Sequence, residues 1–225
     1  MTEDKKYWTY EPEFIDSSVF DLAMEELQGM VKSYTNVIYG KEYPSRRMSC
    51  VFTTVPSPGD TNSGDGSDND NSDNDNTKST SSRQVVAGRP SSARSAFFSY
   101  NNLPTYDWST APVTSWLREQ VEDYCQTRFD YALVHLYRDG EDKIDRHNDK
   151  EGLNSSIASL SLGATRKFRF QKLGIKSGCC QEYLLNSGDL LVMKVGCQKY
   201  YEHWVPVEKT VKTPRLNFTF RTHDK

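Results

Sequence analysis

The sequence predicts an α+β fold in which helices come first and an antiparallel barrel or double-sheet jelly roll follows. Three observations carry this. From Tyr131 onward the chain breaks into eight short strand-like runs punctuated by Gly and Asp, with no helices between them. Two earlier segments repeat apolar residues at helical spacing. Between those segments, residues 57–83 hold no large apolar side chain, so they cannot offset the entropy lost on ordering.

Taken in chain order, the first helix is expected after Ser17 or Ser18, either of which can cap it. Phe20, Met24, Leu27, Val31 and Tyr34 form its apolar stripe. Strand, turn and strand follow: Val37-Ile38-Tyr39, then Gly40-Lys41, a loop through Pro44, and Met48 to Phe52. The polar stretch 57–83 carries six Asp against one Lys and one Arg, and reads as a disordered, solvated insertion. Its Asp-Asn alternation lacks the Gly and terminal Glu spacing of a calcium loop. A second helix starts at Pro112, a favoured first helical residue, and runs to about Cys125. Val113, Trp116, Leu117, Val121 and Tyr124 are its expected buried face. Strands are then expected over 131–138, 143–149, 156–163, 165–173, 182–188, 189–195, 200–206 and 215–221. The organisation is one composite domain: 1–56 as helix and hairpin, 57–83 as insertion, and 84–225 as the core.

Composition narrows the function classes. No apolar run approaches the ~18 residues needed to span a bilayer, so no membrane partner is expected. The charged opening, MTEDKKYWTYEPEF, has no apolar stretch of secretory type. Five cysteines without a C-x-x-C pair favour free thiols in a reducing compartment. The expected location is intracellular, nuclear if the source is eukaryotic and otherwise cytoplasmic, and the expected state is a monomer. The net charge of −3 looks wrong for a nucleic-acid binder, but the insertion supplies the excess; without it the rest is slightly positive.

Few residues are candidates for chemistry, since the chain has only four histidines. His147 and Asp149 stand two apart in an extended segment, so both side chains face one side. His203 lies between strand-like residues far downstream. Two His and one carboxylate make the facial set of non-haem Fe(II) oxygenases, which leaves positions open for cosubstrate and dioxygen. On spacing alone, three separate residues with ordinary hydrogen bonds remain the stronger reading. In Arg215-Leu216-Asn217-Phe218-Thr219-Phe220-Arg221 the polar residues share one face. That face is either solvent-exposed, as such alternation usually means, or a buried site whose arginines bind a dicarboxylate.

The segments HLYRDGEDKIDRHNDKE, SIASLSLGATRKFRF, GDLLVM, EHWVP and PRLNFTFR, in that order, resemble the AlkB-like Fe(II)- and 2-oxoglutarate-dependent dioxygenases. The resemblance covers about residues 131–222. It implies a double-stranded β-helix (jelly-roll) core with N-terminal helices and a nucleotide-recognition lid. It also implies iron held by His147, Asp149 and His203, and 2-oxoglutarate surrounded by Tyr137, Arg215, Asn217 and Arg221, with dioxygen as the other co-reactant. Glu151 matches the acidic residue that contacts the exocyclic group of a damaged base. One position departs: the family places Asn two residues before the tyrosine, where it bonds the cosubstrate, and here His135 stands there. An imidazole can still donate a hydrogen bond, with altered pH dependence, or the ring simply fills strand space.

The first piece is more weakly similar to the branch of the family that repairs double-stranded DNA. Val37-Ile38-Tyr39-Gly40-Lys41 matches a hairpin finger whose aromatic fills the stack vacated by a flipped base. Pro44, Arg46 and Arg47 would follow on the lid, and Phe98-Ser99 matches a pair whose Phe stacks on the flipped base. Tyr39 as an ordinary hairpin aromatic and Phe98 as plain core are the structural alternatives. The resemblance implies oxidative removal of N-alkyl groups, such as those of 1-methyladenine and 3-methylcytosine, releasing formaldehyde and succinate. Alkylated nucleic acid is the implied partner, DNA ahead of RNA. An RNA demethylase, a protein or lipid hydroxylase, and a catalytically silent binding module are the alternatives.

Overall fold

The structure, a computed structural model, describes residues 7–38, 41–54, 102–175 and 180–223, without the side chains of residues 36–38 and 151. In chain order the elements are β1 (Trp8–Glu11), α1 (Val19–Glu26), β2 (Lys32–Ile38), β3 (Lys41–Thr53), β4 (Thr105–Asp107) and α2 (Pro112–Cys125). There follow β5 (Tyr131–Tyr137), β6 (Ile144–His147), β7 (Ile157–Gly163), β8 (Arg166–Lys172), β9 (Gln181–Leu185) and β10 (Leu190–Met193). A short helix α3 (Cys197–Tyr200), β11 (Tyr201–Val205) and β12 (Arg215–Arg221) complete them.

All eight strands expected after Tyr131 are present, and they form two sheets. One runs β1-β10-β7-β12-β5-β3-β2, with β4 beside β3; the other runs β6-β11-β8-β9. Every pairing is antiparallel except that of β3 with β4. Alternation on β12 divides the interior into two layers. Leu216, Phe218 and Phe220 pack with Leu117 and Val121 of α2 and with Ala23 of α1. The opposite face of β12 turns toward the second layer, built from Trp8, Tyr137, Phe168, Phe170, Met193 and Val205. All seven residues of β12 are buried. Its polar face is therefore interior, and the solvent-exposed alternative falls.

Four local expectations are corrected. The first helix ends at Glu26, not near Tyr34, because Leu27 caps it and Gly29 turns with φ +79°. Tyr34 lies on β2. Neither serine caps α1 with its side chain; Asp16 Oδ1 accepts the Ser18 N–H at 2.8 Å. Pro44 lies inside β3 rather than in a loop. It sits where β3 has β2 as a partner but not β5, which pairs only with Met48–Thr53, and strands tolerate proline in such a setting. The face that α2 buries is Thr114, Leu117, Val121 and Glu122, while Trp116 and Tyr124 are exposed. Glu26 rotates the choice, since its carboxylate accepts Val113 N (2.6 Å), Thr114 N (2.8 Å) and Thr114 Oγ1 (2.6 Å).

The N-terminal strand, not expected from sequence, is tied down by β10 and by a buried Asp189. That carboxylate accepts Tyr10 Oη (2.7 Å), Glu13 N (3.0 Å) and Asn186 N (2.7 Å). Burial, then this bond, pushes the Tyr10 hydroxyl up to about 12. Cys50, Cys125, Cys180 and Cys197 are free thiols, while Cys179 lies outside the described residues. Among the described residues no helix is long and apolar enough to cross a membrane. The insertion 57–83 lies outside them.

Candidate active site

His147 ends β6 and faces His203 directly across the β6–β11 pair, with ring centroids 4.3 Å apart. Asp149 follows two residues on with extended backbone (φ −88°, ψ 106°), so it shares the face of His147. Its Oδ1 lies 3.7 Å from His147 Nε2 and its Oδ2 lies 3.5 Å from His203 Nε2. All three ligand atoms fall within 4.8 Å of one another, which joins the three residues that spacing alone left separate.

The protonation states suit a cation. His147 Nδ1 lies 2.8 Å from the Asp145 carbonyl, which only accepts, so Nδ1 donates there and Nε2 is the ring nitrogen turned toward Asp149. Burial, reinforced by His147, pushes His203 down to about 3, so it is neutral near pH 7. Burial alone would raise Asp149, but the Arg221 guanidinium beside it holds its carboxyl below the usual carboxylate range. Arg221 Nη2 lies 3.1 Å from Asp149 Oδ1. Asp149 Oδ2 is buried without a hydrogen-bond donor, a costly state that a divalent cation would relieve. A carboxylate and two imidazole nitrogens on one face are the donor set of an Fe(II) site with open positions.

These residues wall a small cavity of about 30 Å³, which His135, Tyr137, Asn217 and Arg221 also line. Arg215 lies beside it, across the β5–β12 pair from Tyr137, with its guanidinium 5.1 Å from the centre of the Tyr137 ring. One of its nitrogens, Nη2, donates to Ser161 Oγ at 2.8 Å, whereas Nε and Nη1 have no acceptor. A buried guanidinium with two unspent donors fits a carboxylate. Burial lowers it to about 10, which leaves it cationic at neutral pH. Arg166, also near Tyr137 (5.5 Å), is saturated: it donates to the carbonyls of Asp139, Asp142 and Pro206 and pairs with Glu208. The two arginines thus divide into one ligand candidate and one strut.

Asn217 also acts partly as a strut, donating to Ser159 Oγ and the Leu160 carbonyl, both at 2.9 Å. His135 Nδ1 lies 2.7 Å from Ser49 Oγ, and both are buried. Burial, then the nearby Arg47 and Arg221, pushes His135 well below the usual histidine range, so a neutral imidazole faces the cavity. Ser49, Ser159, Phe168 and Met193 were not singled out from sequence. The i, i+2 spacing of Ser159 and Ser161 on β7 was the one readable signal.

The proposed substrate contacts are less gathered. Arg46 is exposed, 3.9 Å from Glu141, in a separate groove of about 500 Å³ that Pro44 and Arg138 share. Lys41 is exposed at the start of β3. Neither lines the metal cavity. Tyr39, Gly40, Phe98 and Ser99 lie outside the described residues, as does the side chain of Glu151, whose backbone belongs to a 3-10 turn (Lys150–Gly152) just after Asp149.

Comparison with known proteins agrees with this geometry. The alpha-ketoglutarate-dependent dioxygenase alkB homolog 3 of Bos taurus is 37% identical over 121 residues, 49% of this chain and 42% of that protein. The DNA oxidative demethylase ALKBH2 of Bos taurus is 35% identical over 119 residues, 49% and 43% of the two chains. An uncharacterised protein, R406 of Acanthamoeba polyphaga mimivirus, is 31% identical over 116 residues, 49% and 58%. The chain thus matches about half the length, or less, of the first two relatives. The solved structure of OsALKBH1 superposes with a TM-score of 0.55 at 16% identity, covering 99% of each chain, which supports the jelly-roll fold. A family profile described as the 2OG-Fe(II) oxygenase superfamily matches residues 9–221, nearly the whole chain, and the chain belongs to that superfamily.

Proposed function

We propose that this protein is an oxidative demethylase of alkylated nucleic-acid bases, DNA ahead of RNA, removing groups such as those of 1-methyladenine and 3-methylcytosine. The observation that carries it is the buried Asp149 between two imidazoles, in a cavity lined by Tyr137, the cross-strand partner of an arginine with unspent donors. Fe(II) and 2-oxoglutarate, which give the superfamily its name, would supply the oxidising chemistry with dioxygen: one oxygen atom would go to the cosubstrate, giving succinate and CO2, and the other into an N-methyl C–H bond, whose hydroxymethyl product would lose formaldehyde.

The chain's own residues bind, orient and exclude. His147, Asp149 and His203 would hold the metal, and the Asp145 carbonyl fixes the His147 ring so that Nε2 is left to bind it. Arg215 takes a carboxylate of the cosubstrate through its two open donors, beside the Tyr137 hydroxyl. Neutral His135 offers Nε2 to the same ligand, at the position where the family resemblance implies an amide, while Ser49 pins Nδ1. Phe168, stacked on His203 at 5.4 Å, keeps water off one side of the centre. The named activity of one mammalian relative, a DNA oxidative demethylase, supports the substrate class.

The test is formaldehyde release from duplex and single-stranded oligonucleotides carrying 1-methyladenine, in DNA and RNA, with Fe(II), 2-oxoglutarate and ascorbate. Release that His147→Ala abolishes is the expected result, stronger on DNA. Succinate formation without formaldehyde from any oligonucleotide would move the substrate to another class.

A further inference from the structure

Gln198, in α3 five residues before His203, joins the two halves of the metal site in a way that its place in the sequence does not announce. Its side chain is 1% exposed. Its Oε1 accepts the backbone N–H of Asp149 at 2.9 Å. Its Nε2 donates to Met193 Sδ at 3.2 Å, and its own carbonyl accepts Asn148 Nδ2 at 3.0 Å. The peptide preceding the metal carboxylate is thus held from two sides by one residue. On its far side the carbonyl of Asp149 accepts Gly152 N at 3.1 Å. A Cβ on Gly152 would come within 2.3 Å of Ile157 Cδ1 and 3.3 Å of Gln198 Cγ, so this turn is packed closely against Ile157 and Gln198.

We infer that Gln198 is the positioning residue of the metal centre: its amide orients the Asp149 peptide so that the carboxylate points between His147 and His203. The physical need is plain from the local structure. β6 ends at His147, so Asp149 lies past the last residue whose place the β6–β11 ladder fixes. A free loop would let the carboxylate rotate toward Arg221, 3.1 Å away, and leave the imidazoles. The Gln198 amide supplies the missing rung. Because α3 runs straight into β11, the same residue ties Asp149 to the strand carrying His203. This rests on the metal-centre reading above.

The experiment is a titration of the full-length metal-free protein with Mn(II), followed through the signal of the free ion, alongside the denaturation midpoint of the metal-free protein. Gln198→Met keeps length and apolar volume but removes the acceptor. Its Kd is expected to rise about 10- to 100-fold, the usual effect of losing such an outer partner. Gln198→Glu keeps an acceptor for the Asp149 N–H and is expected to bind within a few-fold of wild type. An unchanged Kd in Gln198→Met overturns the inference, as does an equal loss in Met and Glu variants, which would mean a packing role alone. If the Met variant does not fold, the Glu variant decides: near-wild-type binding supports the inference and a large loss overturns it. A wild-type protein that binds no Mn(II) would instead sink the metal-centre reading itself, and the role of Gln198 with it.

Discussion

Arg215 and Arg166 are the same residue type on neighbouring sheets, both fully buried and both close to the Tyr137 ring, yet their partners give them opposite roles. Arg215→Lys is expected to raise the KM for 2-oxoglutarate at least about 10-fold, since a lost charged hydrogen bond is worth ~1.5–3 kcal/mol and lysine has no planar fork. Arg166→Lys should instead lower the melting temperature and leave that KM alone in the folded protein. Steady-state kinetics beside thermal denaturation separates the two. Histidine protonation gives a second expectation. His135 and His203 are held neutral in the folded chain, well below the ~6.5 of an unfolded histidine. The unfolded state therefore takes up their protons first as pH falls. Stability is complete above about pH 6.5 and declines below it, by up to ~1.4 kcal/mol per pH unit for each histidine. For His203 the decline continues to about pH 3. Denaturant titrations of metal-free protein between pH 8 and 5 should show it, and His135→Asn should reduce the slope by about one proton.

Among the elements, strands with clean alternation and Gly or Asp on either side were legible, and helix limits were less so. Val31 and Tyr34 continue the helical spacing of α1 by coincidence; Gly29 was the stop signal, and its left-handed turn outweighs the periodicity. The buried face of α2 was misread by one position around the helix, because Thr114 is buried for its bond to Glu26 and not for apolar character. That contact has its own expected outcome. Glu26→Ala leaves three donors at the start of α2 unpaired and should cost about 1–2 kcal/mol in chemical denaturation, as losing a cap does. β1 was missed because four residues ending before Pro12 give too short a pattern, although Trp8 stacks on Phe170 at 4.1 Å. The metal residues were legible through the family resemblance, since the His-x-Asp spacing alone favoured separate residues and His203 lies far from it in the chain. Gln198 and Ser49 were not, since a side chain that supports another residue leaves no spacing of its own.

For the whole molecule, the N-terminal strap and the jelly roll stand or fall together at Gly188. Its φ is +90°, and a Cβ there would lie 1.9 Å from the Ile15 carbonyl oxygen, where Ile15 N also donates to Gly188 O at 3.0 Å. Gly188→Ala should therefore cost more than the ~1–2 kcal/mol of left-handed backbone alone, and detach β1 first. Limited proteolysis near the N-terminus would report it. Ligands should act in the opposite direction: a cation at 100 times its Kd adds about 2.7 kcal/mol of stability, which a chelator removes.

Arg166 and Asp142, both buried, have charged partners of their own in Glu208 and Arg138, which leaves Arg215, Arg221 and Asp149 at the site, an excess of one positive charge in a region of low polarisability. A divalent cation raises that excess to three, and a dicarboxylate restores it to one. The dicarboxylate therefore returns the interior to the charge it had before either guest arrived. Each guest therefore makes the other more welcome: the cation strengthens binding of the dicarboxylate, and by linkage the dicarboxylate keeps the cation from leaving.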